Sequence, residues 1–590
     1  MLAPFDRDFF GSGRTSSRIG GGEYGGKAGG LLRADASLRG HFDGGSPEVD
    51  VSIPAFVVLG SDVFQAFMDR NRLWEVLEDP PSDPRIAHAF QKADLPSEVL
   101  GDLHGLIGGV HTPLAVRSSS LLEDALAHPF AGVYETKMTP NNQPSAGDRF
   151  QRLVEAIKLV YASTWFSAAR DYRTALGIPH GDEGMAVVIQ EVVGRRFGNR
   201  FYPHVSGVAR SFNYYPVGRA KPEEGVVDLA LGLGKTIVDG GRCWTYSPQH
   251  PGVAPPFASA RDRMTGTQAR FWAVNMGRPP TFDPLTEAEY LVEGDLKDAE
   301  YDGTLPLLAS TYDAASDQIR PGTGRPGPRV LDFRLFLHGS EPWNGLVRRL
   351  LQACEEAAGE KVEIEFALAL AGAGEAARPD HQGRAHLGLV QLRSMSSPGE
   401  EVALGPEELT GPGLLLASRQ AMGNGVLEGI RDIVYLVPDR FEAAATRQIA
   451  AELGAWNRDL VEEGRRYLLL GFGRWGSSDP WLGIPVQWGQ VAGARVLVEA
   501  ALPSMNIEPS QGTHFFHNLT SLGAVYMAVG PTAPAPVDWD WLARQPSLRE
   551  TQYLRHVLLD EPLSVRVDGR AGTGVVRVPQ GSPPRKGGGS

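Results

Sequence analysis

The chain has 590 residues, more than one hydrophobic core usually holds, so the length predicts several domains. Hydrophobic residues make up 42% and charged residues 22%, as in globular proteins, and the net charge of -13 argues against a nucleic-acid or anionic-membrane partner. Two cysteines, an N-terminus without signal-peptide features and apolar runs well short of the ~20 residues that span a bilayer predict a cytoplasmic protein with no membrane partner.

The first part of the chain alternates glycine loops, apolar runs and helical patterns. A glycine-rich segment at 18–30 precedes an apolar strand at 53–59. The spacing of apolar residues over 150–176 predicts one long helix, and the continuous apolar run at 184–193 predicts a buried strand.

The later part of the chain predicts further strands and a second domain. Residues 246–328, rich in Pro, Gly, Asp and Arg, predict a long and partly irregular excursion, and the segments at 362–370 and 386–395 predict two strands joined by a loop. A composition break near residue 400 precedes a strand–helix–strand pattern, which predicts a separate α/β domain at 401–568. Residues 569–590 predict a disordered tail.

One segment combines residues suited to phosphate binding. In LAVRSSSLLEDALAHPFAGVYET, residues 114–136, an apolar strand leads to Arg117 and three serines. A guanidinium group forks onto phosphate oxygens, and backbone amides in a Ser-rich turn add neutral donors. The same pattern also suits a solvated loop with a serine at a helix N-cap, so the residues alone leave both interpretations open.

The amino-acid sequence of this segment resembles a known family signature. AVRSSSLLED…FAGVYET is similar to the VRSSA…ED…FAGQ…T signature of the nucleotide domain of pyruvate phosphate dikinase and phosphoenolpyruvate synthase. Other segments resemble elements of that family in the same order, over about 380 residues: YGGKAGGLL, SIPAFVVL, STWFSAARDYRTALGI, VVIQEVV…HVSGVARSFN, LALGLGKTIVDGG and VEIEFAL…LGLVQLRSM.

The resemblance implies a multidomain protein of the α/β and α+β classes. Residues 1–400 are expected to form an ATP-grasp-like nucleotide-binding region, followed by the smaller α/β domain of unknown role. Its implied ligands are ATP and Mg²⁺. Lys27, Arg117 and Arg393 are the implied catalytic cations, with Lys27 and Arg117 holding ATP phosphates, and Gln190 and Glu191 are implied to contact the adenine side.

A pair of strands is implied to hold the metal. Glu363 and Glu365 occupy the family's acidic positions, and carboxylates at i and i+2 on a strand point the same way, which suits Mg²⁺ bound to phosphates. Gln391, implied to hold the metal and the nucleotide, and Arg393 match the Gln and Arg of the family's LQxRP motif. For the two glutamates the alternative is an ordinary solvent-facing alternation.

Two positions depart from the family pattern. Lys235, expected at the nucleotide, stands where the family usually has Glu in its GLGE loop, and Ser394 stands where LQxRP has Pro. The acid-to-base change at Lys235 either weakens metal binding or serves a different acceptor. The signatures of the family's phosphohistidine swivel domain and phosphoenolpyruvate-binding barrel are not found, so synthesis of phosphoenolpyruvate by this chain alone is not expected.

The second domain carries its own candidates. In GFGRWGSSDPWLGIPVQW, residues 471–488, Arg474 is a candidate anion ligand, while the tryptophans either stack on a ligand or simply pack. His514 and His517 lie at i and i+3 in SQGTHFFHNLTSLG, a spacing open to metal binding, general-base work, phosphoryl acceptance by a catalytic His514, or a structural role.

The leading hypothesis is an ATP-dependent phosphotransferase, kinase-like or dikinase-like. Its acceptor, a small molecule or a protein, is expected between the ATP region and the second domain, facing His514, His517, Asp479 and Arg474. The alternative is a non-catalytic ATP-sensing protein, and ligase chemistry through an acylphosphate is a third hypothesis. The acceptor, the choice of AMP or ADP as product, and the oligomeric state are left open.

Overall fold

The computed structural model describes most of the chain. The described residues are 2–42, 49–78, 81–120, 133–176, 184–213, 219–253, 255, 259–339, 343–372, 374–376, 383–395, 402–477, 479, 481–502, 524–569 and 571–579. His514 and His517 lie outside this set. Among the described residues, no helix is long and apolar enough to cross a membrane.

Residues up to 395 form twelve labelled α-helices and nineteen strands within the described set. The helices are α1 (Gly25–Phe42), α2 (Ser61–Arg70), α3 (Leu73–Leu77), α4 (Asp83–Lys92), α5 (Ser97–Gly109), α6 (Ala146–Ser163), α7 (Ser167–Leu176), α8 (Lys235–Val238), α9 (Ala260–Gly266), α10 (Leu296–Tyr301), α11 (Arg334–His338) and α12 (Trp343–Ala358). The 3-10 helices are Phe9–Gly11, Pro222–Glu224 and Glu287–Tyr290.

The strands of this part are short and fall into four sheets. They are β1 (Ser16–Ile19), β2 (Val49–Ser52), β3 (Phe56–Leu59), β4 (Leu114–Ser120), β5 (Thr136–Thr139), β6 (Met185–Glu191), β7 (Arg195–Phe197), β8 (Arg200–Tyr202), β9 (Val205–Arg210), β10 (Val226–Ala230), β11 (Trp244–Tyr246), β12 (Arg270–Asn275), β13 (Leu291–Asp295), β14 (Ala309–Asp313), β15 (Gln318–Pro321), β16 (Arg329–Leu331), β17 (Val362–Ala369), β18 (Glu375–Ala376) and β19 (Ala385–Ser394).

Two of these sheets enclose the candidate site. The first sheet has the order β1-β3-β6-β4-β5, and the second has the order β11-β10-β9-β17-β19-β2. Two smaller sheets have the orders β13-β12-β8-β7-β18 and β15-β14-β16, and their strands all lie between β2 and β19 in the sequence. β6 is buried at all seven positions because it lies at the centre of the first sheet and is covered on both faces, which explains its continuous apolar sequence.

Residues 402–579 build another sheet around a helix. The helices are α13 (Thr446–Glu462) and α14 (Trp539–Arg544), with 3-10 helices Pro406–Leu409, Pro438–Arg440, Ala443–Ala445 and Trp488–Gln490. The strands are β20 (Leu414–Ser418), β21 (Ala421–Met422), β22 (Gly425–Leu436), β23 (Tyr467–Phe472), β24 (Arg474–Trp475), β25 (Gly483–Ile484), β26 (Ala494–Ala500), β27 (Val525–Val529), β28 (Ser547–Glu550), β29 (Leu554–Asp568) and β30 (Thr573–Arg577).

The sheet of this second part has the order β20-β30-β29-β22-β23-β26-β27-β21, with β28 paired to β29. β22, β23, β26 and β27 run parallel, so the loops that follow β23 and β26 leave the same edge. Helix α13 packs a face of Ile449, Leu453, Trp456 and Leu460 onto this sheet, as the sequence predicts. The domain boundary near residue 400 stays a prediction, since one apolar cluster contains residues from both parts.

Three sequence expectations differ from the structure. The long helix predicted over 150–176 is two helices, because α6 ends at Ser163, and the buried Arg173 donates from Nη2 to the carbonyl of Thr164 at 2.6 Å, which no longer serves a helical bond. Among its described residues, the excursion at 246–328 contains four complete strands, β12 to β15, and two α-helices. β30 lies inside the predicted tail, where Val575 and Val576 are buried.

A buried amide joins α13 to the loop that precedes β26. Asn457, 3% exposed, donates from Nδ2 to the carbonyl of Gly489 at 2.8 Å. Its Oδ1 accepts from the backbone N–H of Gly493 at 2.9 Å and from the hydroxyl of Tyr467 at 3.0 Å. One side chain thus provides hydrogen bonds to the Gly489 carbonyl, the Gly493 amide and the Tyr467 hydroxyl.

We predict that Asn457→Ala destabilises this part of the protein. The substitution leaves a buried carbonyl, amide and hydroxyl without partners, at about 1–3 kcal/mol for each group that water does not reach. Denaturant unfolding followed by circular dichroism measures the loss. Gln448→Ala, on the exposed side of the same helix, is the matched control and should change the free energy of unfolding by less than about 0.5 kcal/mol. Equal effects of the two variants would contradict the assignment.

Candidate functional site

A cavity of about 490 Å³ lies between the first and second sheets and reaches the second part of the chain. This volume falls in the range of small-molecule sites. Its walls come from three places: β4, β5 and β6 of the first sheet, β9 and β17 of the second sheet with the loop around α8, and the segment after β24. The lining includes the predicted residues Arg117, Gln190, Glu191, Lys235 and Glu365.

Arg117 stands at the junction of the two sheets. From β4, its Nη1 donates to Gln190 Oε1 on β6 at 3.2 Å and to the carbonyl of Val390 on β19 at 2.7 Å. Its Nη2 donates to Gln391 Oε1 at 2.6 Å and lies 3.7 Å from a carboxylate oxygen of Glu365 on β17. One fixed fork of donors thereby contacts three other strands.

The two glutamines beside Arg117 each keep an unused donor. Gln190 and Gln391 are 2% and 1% exposed, and both use Oε1 to accept from Arg117. The Nε2 atom of each has no hydrogen-bond partner among the described residues. Buried amide donors are nearly always satisfied, and Gln190 lines the cavity, so its unused donor suits a ligand with acceptor oxygens or nitrogens, whereas Gln391 is not part of the lining.

The acidic positions of β17 differ in their partners. Glu363 is buried, and its carboxylate accepts from Arg210 Nε at 2.8 Å. Glu365 faces the cavity and has longer contacts, with Arg117 at 3.7 Å and with Arg393 at 3.4 Å. Cross-strand register sets Glu365 opposite Gln391 and Glu363 opposite Arg393. The structure therefore offers Glu365 to the cavity and engages Glu363 in a buried ion pair.

Lys27 lies behind the cavity wall. Its ammonium group, buried in α1, donates to the carbonyl and to the hydroxyl of Ser118, each at 3.1 Å. Helix α1 begins at Gly25 with φ of +73°, where a Cβ atom would lie 1.7 Å from the carbonyl oxygen of Ser119. Only glycine permits this close approach of α1 to β4. Lys27 therefore contacts Ser118, the residue that follows Arg117, but it does not line the cavity.

Gly207 lines the cavity at a position where only glycine fits. It lies on β9, and a Cβ atom there would lie 2.1 Å from the ring of Phe366. The ring of Phe366 therefore fills the space over Gly207 and packs against Trp343 of α12, with ring centroids 5.6 Å apart, while Val208 and Ala367 add apolar surface to the cavity. At the opposite wall, Glu191 is 9% exposed and accepts from the hydroxyl of Thr112 at 2.8 Å.

The other end of the cavity is strongly ionic. Lys235 lies 3.0 Å from Asp239 and 3.5 Å from Glu287, and a hydrogen bond joins the carboxyl groups of Glu287 and Glu135. Burial lowers the pKa of Lys235, but the two carboxylates outweigh burial and raise that pKa above its ordinary value. Burial and the neighbouring Glu287 raise the pKa of Glu135 to about 7.

A buried ion pair holds Glu287 in place. Glu289, two residues along the same 3-10 helix, lies 2.6 Å from the ammonium of Lys137 on β5, and both side chains are 1% exposed. Burial lowers the pKa of Lys137, although Glu289 opposes this change. Breaking a buried pair leaves an uncompensated charge, so the pair fixes the position of the 3-10 helix against β5.

The second part of the chain closes one side of the cavity. Gly476, Val486, Gln487 and Gly489 line it. Arg474 donates from Nη1 to the carbonyls of Gly240 at 3.3 Å and Gly241 at 3.5 Å, beyond α8.

Asp479, Trp475 and Trp481 are not part of the cavity lining. Asp479 accepts from the backbone N–H of Trp481 at 2.9 Å and does not line the cavity. Trp475, 1% exposed, packs in the core and donates to the carbonyl of Val498, while Trp481 is 69% exposed.

Three ionisable residues at the Lys235 end of the cavity were not singled out from the sequence. Glu135 belongs to the FAGVYET motif and Asp239 to the LALGLGKTIVDGG segment, both of which pointed to this region, but Glu287 carried no recognisable signal. Among the described residues, no group of three or more His, Cys, Asp or Glu side chains is arranged to hold a metal ion. Glu365 alone still fits Mg²⁺, because that ion usually binds one or two carboxylates together with substrate phosphates and water.

Comparison with known proteins agrees with this architecture. Residues 22–406 match the family described as pyruvate phosphate dikinase, AMP/ATP-binding domain. A phosphoenolpyruvate synthase of Aeropyrum pernix is 35% identical over 137 residues, which are 23% of this chain and 14% of the relative. A probable phosphoenolpyruvate synthase of Staphylothermus marinus is 32% identical over 127 residues, 22% of this chain and 13% of the relative.

A phosphoenolpyruvate synthase of Deinococcus radiodurans is 24% identical over 211 residues, 33% of this chain and 25% of the relative. The matched segments thus span a quarter or less of the length of these relatives. The predicted fold class is confirmed, as a mixed α/β protein with an ATP-grasp-like nucleotide-binding fold. Since the family match covers more than half of the 590 residues, the chain belongs to the family of the pyruvate phosphate dikinase AMP/ATP-binding domain.

Proposed function

We propose that the protein is an ATP-dependent phosphotransferase whose acceptor binds in the cavity between the two sheets and the second part of the chain. The observation that carries the proposal is the Arg117 junction, where a cation and the unused amide donor of Gln190 face a cavity of nucleotide size. Membership of an AMP/ATP-binding family supports ATP as the nucleotide.

The chain's own residues would position the phosphates. Arg117 and Arg393 now share the Glu365 carboxylate through long contacts, so incoming phosphate oxygens can replace that carboxylate with shorter charge-assisted hydrogen bonds. Glu365, released from the two arginines, would hold Mg²⁺ against the phosphates. When bound, this ion neutralises charge on the transferring phosphoryl group, and positioning supplies much of the remaining acceleration.

The apolar surfaces suit the base. Val208 and Ala367 form part of one wall, and Val192 and Val193, which follow β6, form part of another. Gln190 and Glu191 come directly before these valines in the chain, and Gln190 accepts from Arg117, which supports their proposed place at the adenine side. The cavity therefore has an order of apolar, cationic and acidic zones, matching base, phosphates and acceptor.

A second function is a nucleotide sensor without turnover. Its supporting observation is the pairing of Glu363 with Arg210, which removes one of the two proposed metal carboxylates from the cavity. The contact of Arg474 with the segment after α8 offers a route by which nucleotide binding would change the second part of the chain. The measurement of turnover separates the two functions.

We predict that Arg117→Lys lowers the affinity for ADP by about 10–100-fold. Lysine keeps the charge but loses the fork, and each charge-assisted hydrogen bond contributes about 1.5–3 kcal/mol. Isothermal titration calorimetry measures the dissociation constants. Arg270→Lys, at a side chain that is 71% exposed and far from the lining, should bind as the native protein does. Native affinity in the Arg117 variant would exclude a phosphate role for this residue.

We predict that the native protein converts Mg·ATP and that Glu365→Gln slows this conversion by about 100-fold or more, while metal-free ADP still binds. ³¹P NMR with pyruvate, phosphate and water as acceptors identifies the product. The matched control is Glu355→Gln, at a residue paired with Lys361 outside the cavity. AMP as product points to a phosphohistidine, and His514 is then the first residue to replace. ATP that binds but stays intact favours the sensor.

A further inference from the structure

The ionic end of the cavity contains groups that the nucleotide does not require. Glu135 on the segment before β5, Glu287 on its 3-10 helix, and Lys235 and Asp239 around α8 all line the same cavity as Arg117. Lys235 stands where the GLGE loop of the family that this segment resembles usually has a glutamate. Here Glu135 and Glu287, from two other segments, supply carboxylates instead. The cluster therefore has a basic centre with three acidic neighbours.

An independent feature marks this cavity as a ligand site. The Nε2 atom of Gln190, a side chain 2% exposed, has no partner among the described residues, and Gln190 lines the same continuous space. The space extends from Gln190 to Gly476 and Gln487 in the second part of the chain. A ligand that satisfies Gln190 thus shares one chamber with the Glu135–Glu287 pair.

We infer that the Glu135–Glu287 pair is the proton acceptor for phosphoryl transfer to an uncharged hydroxyl compound bound at the Lys235 end of the cavity. This inference rests on the proposed phosphotransferase function. It adds two residues to the site and assigns a chemical class, a sugar- or polyol-like alcohol, to the acceptor.

The charge balance of the subsite selects this class. Glu135, Glu287 and Asp239 surround the ammonium of Lys235, and the guanidinium of Arg474 lies beyond α8 at the carbonyls of Gly240 and Gly241, so carboxylates outnumber cations in the subsite when Glu135 is ionised. Other charged groups in or beside the cavity are Arg117, Lys137, whose ammonium is paired with Glu289, and Asp83 at the end of the cavity by α7. A carboxylate or phosphate acceptor would meet like charge here, whereas a hydroxyl group finds acceptor oxygens.

The proton step is balanced without a further reactant. The acceptor hydroxyl oxygen forms a bond to the γ-phosphorus of ATP, and the bond between that phosphorus and the bridging oxygen breaks, so that ADP leaves with the electron pair. The hydroxyl proton passes to the Glu135 carboxylate and later to solvent. A base whose pKa is about 7 suits this task, because it is largely deprotonated just above neutral pH and still accepts a proton readily.

The first test compares pH profiles of ADP formation with glycerol as the hydroxyl probe. Because the base must be deprotonated, the native rate should rise with pH through about 7 and then level off. Glu135→Gln should lower this rate by about 10²–10⁴-fold and remove the rise, with ADP affinity kept. Glu293→Gln, at an exposed residue paired with Arg270, is the control and should match the native profile.

Two results of this test overturn the inference. One is a Glu135→Gln variant with the native rate and profile. The other is faster ADP formation with glycerate than with glycerol, which would exclude an uncharged acceptor.

A second measurement does not need turnover. Polyanionic phosphates in the same cavity raise the pKa of the pair, so ADP binding near neutral pH should take up a proton, counted by calorimetry in buffers of different ionisation enthalpy. Glu135→Gln should abolish this uptake. Proton uptake on ADP binding without any ADP formation from ATP would support the Glu135–Glu287 pair and contradict the phosphotransferase function. ADP binding without proton uptake would contradict the role of the pair alone. A native protein that does not bind ADP would overturn both.

Discussion

The guanidinium group of Arg117 joins the two sheets that enclose the cavity. Its partners lie on β6 of the first sheet and on β17 and β19 of the second, so one planar fork of donors links the two sheets. Because a side chain of this kind is always charged, it needs oxygen atoms around it, and the glutamine and glutamate positions supply them. The same contacts leave the Nε2 donor of Gln190 unused at the cavity wall among the described residues, so the interaction that links the two sheets also leaves a donor available to a ligand.

The ionic end of the cavity depends on a second constraint, the buried pair of Lys137 and Glu289. This pair fixes the 3-10 helix that carries Glu287, and Glu287 in turn contacts both Glu135 and Lys235. A lysine in place of an acid at position 235 would be costly if it stood alone at low dielectric. Asp239 and Glu287 offset that cost, which is why the pKa of Lys235 lies above rather than below its ordinary value.

The sequence predicted the residues around Arg117 better than those at the ionic end of the cavity. Strands such as β6, β17 and β19 have strong local patterns, and their period of two fixes which side chains share a face, so Glu365 and Gln391 were placed correctly on the strands. Glu287 belongs to a polar segment between short strands, where no periodicity operates, and only tertiary contacts bring it to the cavity. The break between α6 and α7 was missed for a similar reason, because Arg173 stabilises it through a contact within the folded chain.

The second part of the chain has a role that follows from where its loops leave the sheet. β23 and β26 are neighbouring parallel strands, and the segment after β23 carries Arg474 to the carbonyls beyond α8 and Gly476 to the cavity wall. Any movement of α8 that accompanies ligand binding must therefore break or carry along the Arg474 contacts. A catalyst would use this coupling to close the site around the acceptor, and a sensor would use it to report that the nucleotide is bound. The geometry is common to both functions, so the chemistry of Glu365 and Glu135 rather than the closure of the cavity distinguishes them.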